Sequence, residues 1–189
     1  VRSRGNLNFV CKGLILIEDH RGNVVLENST GPTTIQSLVG DVQLTSSFGS
    51  VEMENIEGTV DLRSQNGIVL VSNIEGLCTV ESKSGNFEVS ELRGPLKLIN
   101  IDGVAEIELT EPLEDASSVE SIRGRITIRI ADAADIQVKA RVTRGSIRGS
   151  DRLRMVNRGA ISTAEGTWGT SSSILTVTGE DATIQIMDN

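Results

Sequence analysis

Few side chains in this sequence are spaced for chemistry. His20 is the single histidine of the chain. It stands in the run Glu18-Asp19-His20-Arg21, with no cysteine beside it. One imidazole makes neither a zinc site nor a Ser-His-Asp set, and it reads as an exposed residue at a corner. Cys11 and Cys78 are the two cysteines and form no disulfide framework. Both read as small apolar fillers. Glu57 and Glu75 stack if the chain coils with the period between them, and two solvated glutamates are the simpler reading than a bound cation. No G-x-S-x-G, phosphate-loop or H-E-x-x-H motif occurs. The expectation is a non-enzymatic chain with no cofactor and no metal.

Charge offers more. The net charge is -8, which disfavours nucleic acid as a partner. It is unevenly spread, at -11 over residues 1–120, +7 over 121–158 and -4 over 159–189. Strand-like alternation in the basic block turns Arg125, Arg129, Lys139 and Arg141 outward. These four residues, with Trp168, are the candidate binding surface. The alternative is a solubilising surface partly paired to acidic neighbours, or head-to-tail contact between acidic and basic ends. Aromatic residues are 2% of the chain. Phe9 and Phe87 fall in inward slots, which leaves Phe48 and Trp168 as exposed platforms. Sugar clefts and single-strand sites stack their ligands on rings, so a polysaccharide-cleaving or single-strand-binding groove is disfavoured.

The elements that would position these residues follow from a repeat. Stepping by nine from Gly13 lands on glycine as far as Gly103, eleven times in register. Two and four residues after each glycine the residue is apolar, as in Val42/Leu44, Val60/Leu62 and Leu96/Leu98, with Thr33 the exception. This is period-two alternation, a strand with one buried face. A small polar residue such as Asn28, Ser46, Ser64 or Asn100 follows, which favours a turn. The glycine then supplies a backbone conformation, expected at positive φ, that a side chain opposes. Leu38, Ile56, Ile74 and Leu92 stand two before alternate glycines, eighteen residues apart. Two nine-residue strand-turn units of different type therefore make one coil, and like residues stack on like. The predicted fold is all-β, a single-stranded parallel β-helix or β-solenoid with eighteen-residue coils. An antiparallel sandwich would need no such fixed register. The slot before each glycine carries no carboxylate ladder, so calcium is not expected.

The regular repeats span about 5–107 of one solenoid domain covering 1–189. The stretch 108–121, ELTEPLEDASSVES, contains Pro112 and five acidic residues, and reads as an excursion, a loop or a short helix. Beyond it, over 122–189, the coils lengthen: Gly124 to Gly145 is twenty-one residues. One of the two closing strand-like runs, or a rim containing Trp168, is expected to cap the open end, where unpaired edges invite association. There is no run of eighteen apolar residues to span a membrane.

The unit IEGTVDLRSQNGIVLVSN, with RGRITIRI and the closing GEDATIQI, resembles the bacterial DUF4097 group of adhesin-like proteins and the related autotransporter adhesin head domain. The likeness covers nearly the whole chain. It implies a parallel β-helix on exported or membrane-anchored proteins, with no catalytic residues to carry over. The function expected on this basis is an adhesin-like envelope module that offers a flat face to a protein or polysaccharide ligand at the cell surface. A scaffold that assembles by end-on stacking, hence a homo-oligomer, is the alternative, and a polysaccharide-active β-helix enzyme is third.

Overall fold

The computed structural model describes residues 3–170 and 173–189. The chain is nearly all strand and forms a parallel β-solenoid. The strands are β1 (Ser3–Arg4), β2 (Leu7–Cys11), β3 (Ile15–Arg21), β4 (Val24–Asn28), β5 (Thr33–Val39), β6 (Val42–Phe48) and β7 (Val51–Glu57). There follow the long β8 (Val60–Glu75), β9 (Cys78–Leu92), β10 (Leu96–Leu109) and β11 (Ser117–Ile130), each of which bends around a corner. The last six are β12 (Ile136–Thr143), β13 (Ser146–Gly149), β14 (Arg154–Arg158), β15 (Ile161–Trp168), β16 (Ile174–Glu180) and β17 (Ala182–Asp188).

Parallel pairing gives the period directly. On one stack of strands Val24 pairs with Val42, Val42 with Val60, Val60 with Cys78 and Cys78 with Leu96. On the second stack Ile35 pairs with Met53, Met53 with Val71, Val71 with Val89 and Val89 with Ile107. About 7 turns follow one another in this way. The inward columns are mostly Val, Leu and Ile, with Met53, Cys78 and Phe87 among them, almost all fully buried. No coil covers its own apolar face, so burial is collective.

Each coil has a third corner that the nine-residue repeat only half shows. Asp19, Ser37, Asn55, Asn73 and Glu91 have positive φ between 50° and 58°, and recur every eighteen residues. That left-handed step turns the next residue inward, which is why Leu38, Ile56, Ile74 and Leu92 are buried. His20 holds the same slot and pairs with Leu38 in the next coil. It is 1% exposed, against the expectation of an exposed corner. The small polar residues also face inward. The Asn28 side-chain amide donates to the carbonyls of Gly13 and Gly31 and to Thr33 Oγ1 at 3.0–3.1 Å. Thr33, the one polar residue among the apolar slots, is thus a partner for a buried amide.

The acidic excursion is shorter than 108–121. Leu109 and Ser117 are both in strands, leaving 110–116 as the loop. The coil therefore gains three residues without losing its stack: Lys97 pairs with Ser118 and Leu109 with Ile130. Leu113 is 1% exposed and plugs the core from this loop, while Ser117 Oγ accepts the Leu96 N–H at 2.9 Å.

The C-terminal third departs from coil-after-coil order. The β12–β13 coil is not the next layer after β11. β16 and β17 insert between β11 and the β12–β13 coil. Val119 pairs with Val177 and Val177 with Ala140. On the second stack Ile126 pairs with Ile184 and Ile184 with Ile147. The closing strands are thus an interior layer, not a cap. The cap is an antiparallel hairpin: β15 lies on β12, and β14 lies on β15. Trp168 ends β15 and is fully buried. Its Nε1 donates to Asp188 Oδ1 at 2.8 Å, and the Arg152 guanidinium lies 6.0 Å from its ring centre. The expected exposed platform at Trp168 is overturned, because an indole at the end of a solenoid is the largest group available to close its core.

Candidate functional site

The four predicted cationic residues do not form one surface. Arg125 and Arg129 lie on the second stack, next to Thr183 and Met187. Lys139 and Arg141 lie on the first, next to Thr176 and Thr178. Alternation correctly turned each outward, but a coil has more than one outside. Much of the basic block is also answered by acids. Arg129 pairs with Glu106 at 3.3 Å and Arg123 with Asp102 at 3.3 Å. Arg152 meets Asp132 at 2.7 Å and Asp188 at 3.7 Å. Arg144 is held by Glu180 and by Asp181, the latter at 2.9 Å. These contacts raise the Arg144 pKa and, by the same hydrogen bond, hold the Asp181 carboxyl below its ordinary range. All are solvent-exposed pairs that contribute little to stability.

Glu57 and Glu75 do stack in register. The cation beside them is Arg93 of the following coil, which reaches Glu75 and Glu111 at 2.8 Å each. The two carboxylates raise its pKa, hydrogen bonding and charge from Glu111 leading. Among the described residues no group of three or more His, Cys, Asp and Glu side chains converges as a metal site would.

The buried groups are poorly placed for covalent chemistry. Burial pushes the Cys78 thiol up to about 12, far from the thiolate a nucleophile needs. Ser3 Oγ lies 2.7 Å from His20 Nδ1, at the rim of a shallow cavity of about 600 Å³ that Asn55 and Glu57 also line. A catalytic imidazole needs its second nitrogen oriented by a third group. His20 Nε2 is buried with no partner among the described residues, so this contact is a serine satisfying half of a core histidine.

Outward slots hold a feature that the search for charged residues missed. Ile68 and Leu70 flank the inward Val69 on the second stack and are 52% and 40% exposed. Phe48 is 57% exposed and lies next to Asn66 across the coil boundary, two residues from Ile68. The signal was present in Gly67-Ile68-Val69-Leu70-Val71, where apolar residues fill outward as well as inward slots. Glu52 and Glu88 pair with Leu70 on either side, and Ile68 pairs with Asn86, so polar residues border these side chains.

Comparison with curated proteins and with solved structures finds no match. The family profile described as Toastrack DUF4097 matches residues 10–121, more than half of the chain. That span contains the regular coils and the acidic loop, and the chain belongs to the DUF4097 family.

Proposed function

We propose that this chain is a non-enzymatic, adhesin-like module that presents a flat solenoid face to a protein or polysaccharide ligand at the cell surface. The observation that carries the reading is the group Phe48, Ile68 and Leu70, large apolar side chains exposed on either side of the Gly67 corner with polar neighbours in register. Apolar residues rimmed by polar ones mark interaction surfaces. The stacked backbone beneath is rigid, so little ordering cost accompanies binding there.

The test is a screen of glycans and envelope proteins with the wild-type chain and with a variant carrying Phe48→Ser, Ile68→Ser and Leu70→Ser. The expected result is a ligand that the variant loses by tenfold or more while its melting temperature is kept. Equal binding by the two proteins would move the site elsewhere. New reducing ends from any polysaccharide in the panel would favour the enzyme reading instead. A second reading, self-association, draws on Val10 and Leu14, which are 72% and 75% exposed in the first coil. It predicts mass that grows with concentration.

A further inference from the structure

The hairpin that closes the C-terminal end leaves its own outer strand open. β14 pairs with β15 and with no other strand among the described residues. All five of its residues, Arg154, Met155, Val156, Asn157 and Arg158, are exposed. In an antiparallel pair, alternate residues turn N–H and C=O away from the partner strand, so β14 offers a row of free backbone groups. Such an edge is a template for another strand.

Its flanking charge selects what can add. Directly opposed residues share a face in an antiparallel sheet. The register sets Lys139, Glu165 and Arg154 in one row, Arg141, Thr163 and Val156 in the next, and Thr143, Ile161 and Arg158 in the third. One face therefore carries four cations, Lys139, Arg141, Arg154 and Arg158, against one carboxylate, Glu165. None of the four is in an ion pair among the described residues, unlike Arg129, Arg144 and Arg152. A second copy is a poor occupant. Antiparallel pairing of two β14 strands about Val156 sets Arg154 opposite Arg158 twice, and like charges directly opposed are destabilising.

We propose that β14 is an acceptor edge for an extended acidic segment of a partner protein, which adds to the cap as one further strand. The segment carries acids at positions i and i+4, opposite Arg154 and Arg158, and a small apolar residue between them, over Val156. That spacing reads the same in either strand direction. The edge is at the end of the solenoid, away from Phe48, Ile68 and Leu70, so failure of one test leaves the other reading standing.

The probe is the capped peptide Thr-Glu-Thr-Val-Thr-Glu-Thr, titrated into isotope-labelled protein at low and at physiological salt. Expected are saturable amide shifts centred on 154–158 and weaker binding at higher salt. The double variant Arg154→Glu/Arg158→Glu should lose at least tenfold in affinity, and a peptide with Lys in place of Glu should restore it. The free backbone groups of the edge belong to Met155 and Asn157, because Arg154, Val156 and Arg158 turn theirs to β15. A peptide with Pro in place of a threonine beside the valine therefore lacks a donor to the edge and should bind at least tenfold more weakly. No saturable binding by wild type, or equal binding by the proline peptide, would overturn the proposal. Shifts in 154–158 that depend on protein concentration alone would instead mean that β14 pairs with itself.

Discussion

Gly67 and Gly13 separate two reasons for keeping glycine at the corners. Both have positive φ, 137° and 117°. A Cβ at Gly13 would meet nothing within 4 Å, whereas one at Gly67 would collide with the carbonyl of Gly49 in the preceding coil. Gly13→Ala therefore carries a conformational cost alone, about 1–3 kcal/mol for an L-residue in that region. Gly67→Ala carries the same cost and must also push two coils apart from a strand spacing of about 4.8 Å. Loosening one or two backbone hydrogen bonds adds about 1 kcal/mol each, so Gly67→Ala should cost about 2–5 kcal/mol in total. Urea unfolding of the wild type and the two variants, with m checked for constancy, gives both numbers. If the two substitutions cost the same, close stacking is not what holds the glycine ladder, and the argument from coil spacing fails.

The interior placement of β16 predicts that Val177→Asp, though near the end of the sequence, should cost about 3–5 kcal/mol, since it leaves an unpaired charge in a fully buried column; a melting temperature near wild type would refute the insertion. His20→Leu should raise stability by about 1 kcal/mol in urea unfolding, because it replaces a buried nitrogen that has no partner among the described residues with the residue type of Leu38; a clear loss would mean the Ser3 bond outweighs that nitrogen. Hydrogen bonds from Ser150 and Trp168 hold the Asp188 carboxyl below its ordinary range. A depressed carboxylate contributes stability above the unfolded carboxylate pKa, and that contribution is lost as pH falls through the depressed value. Emission from the single tryptophan should thus hold steady from neutral pH to about 4 and shift to the red below, while Asp188→Ala should show the shifted emission at neutral pH; a shift in wild type near pH 6 would point to another group.

The sequence by itself determined the coil. Glycine every nine residues and an apolar residue before alternate glycines are local, additive signals, and they fix strand, corner and register together, since a slip of one residue would expose the whole inward set. The same rule held His20 in view, two residues before Gly22 as Leu38 is before Gly40, although its chemistry argued for the surface. What periodicity could not decide was order and side. The pattern of β16 and β17 is that of any inward-facing strand, and it says nothing of which neighbours they lie between; only the packed structure places them inside β12 and β13. Lys139 and Arg125 both read as outward, yet outward in a solenoid means several directions, and it took the stacks to set them on different surfaces. The open edge of β14 was hidden for the same reason, because which strand is left without a neighbour is a property of the whole assembly of strands and of no segment alone.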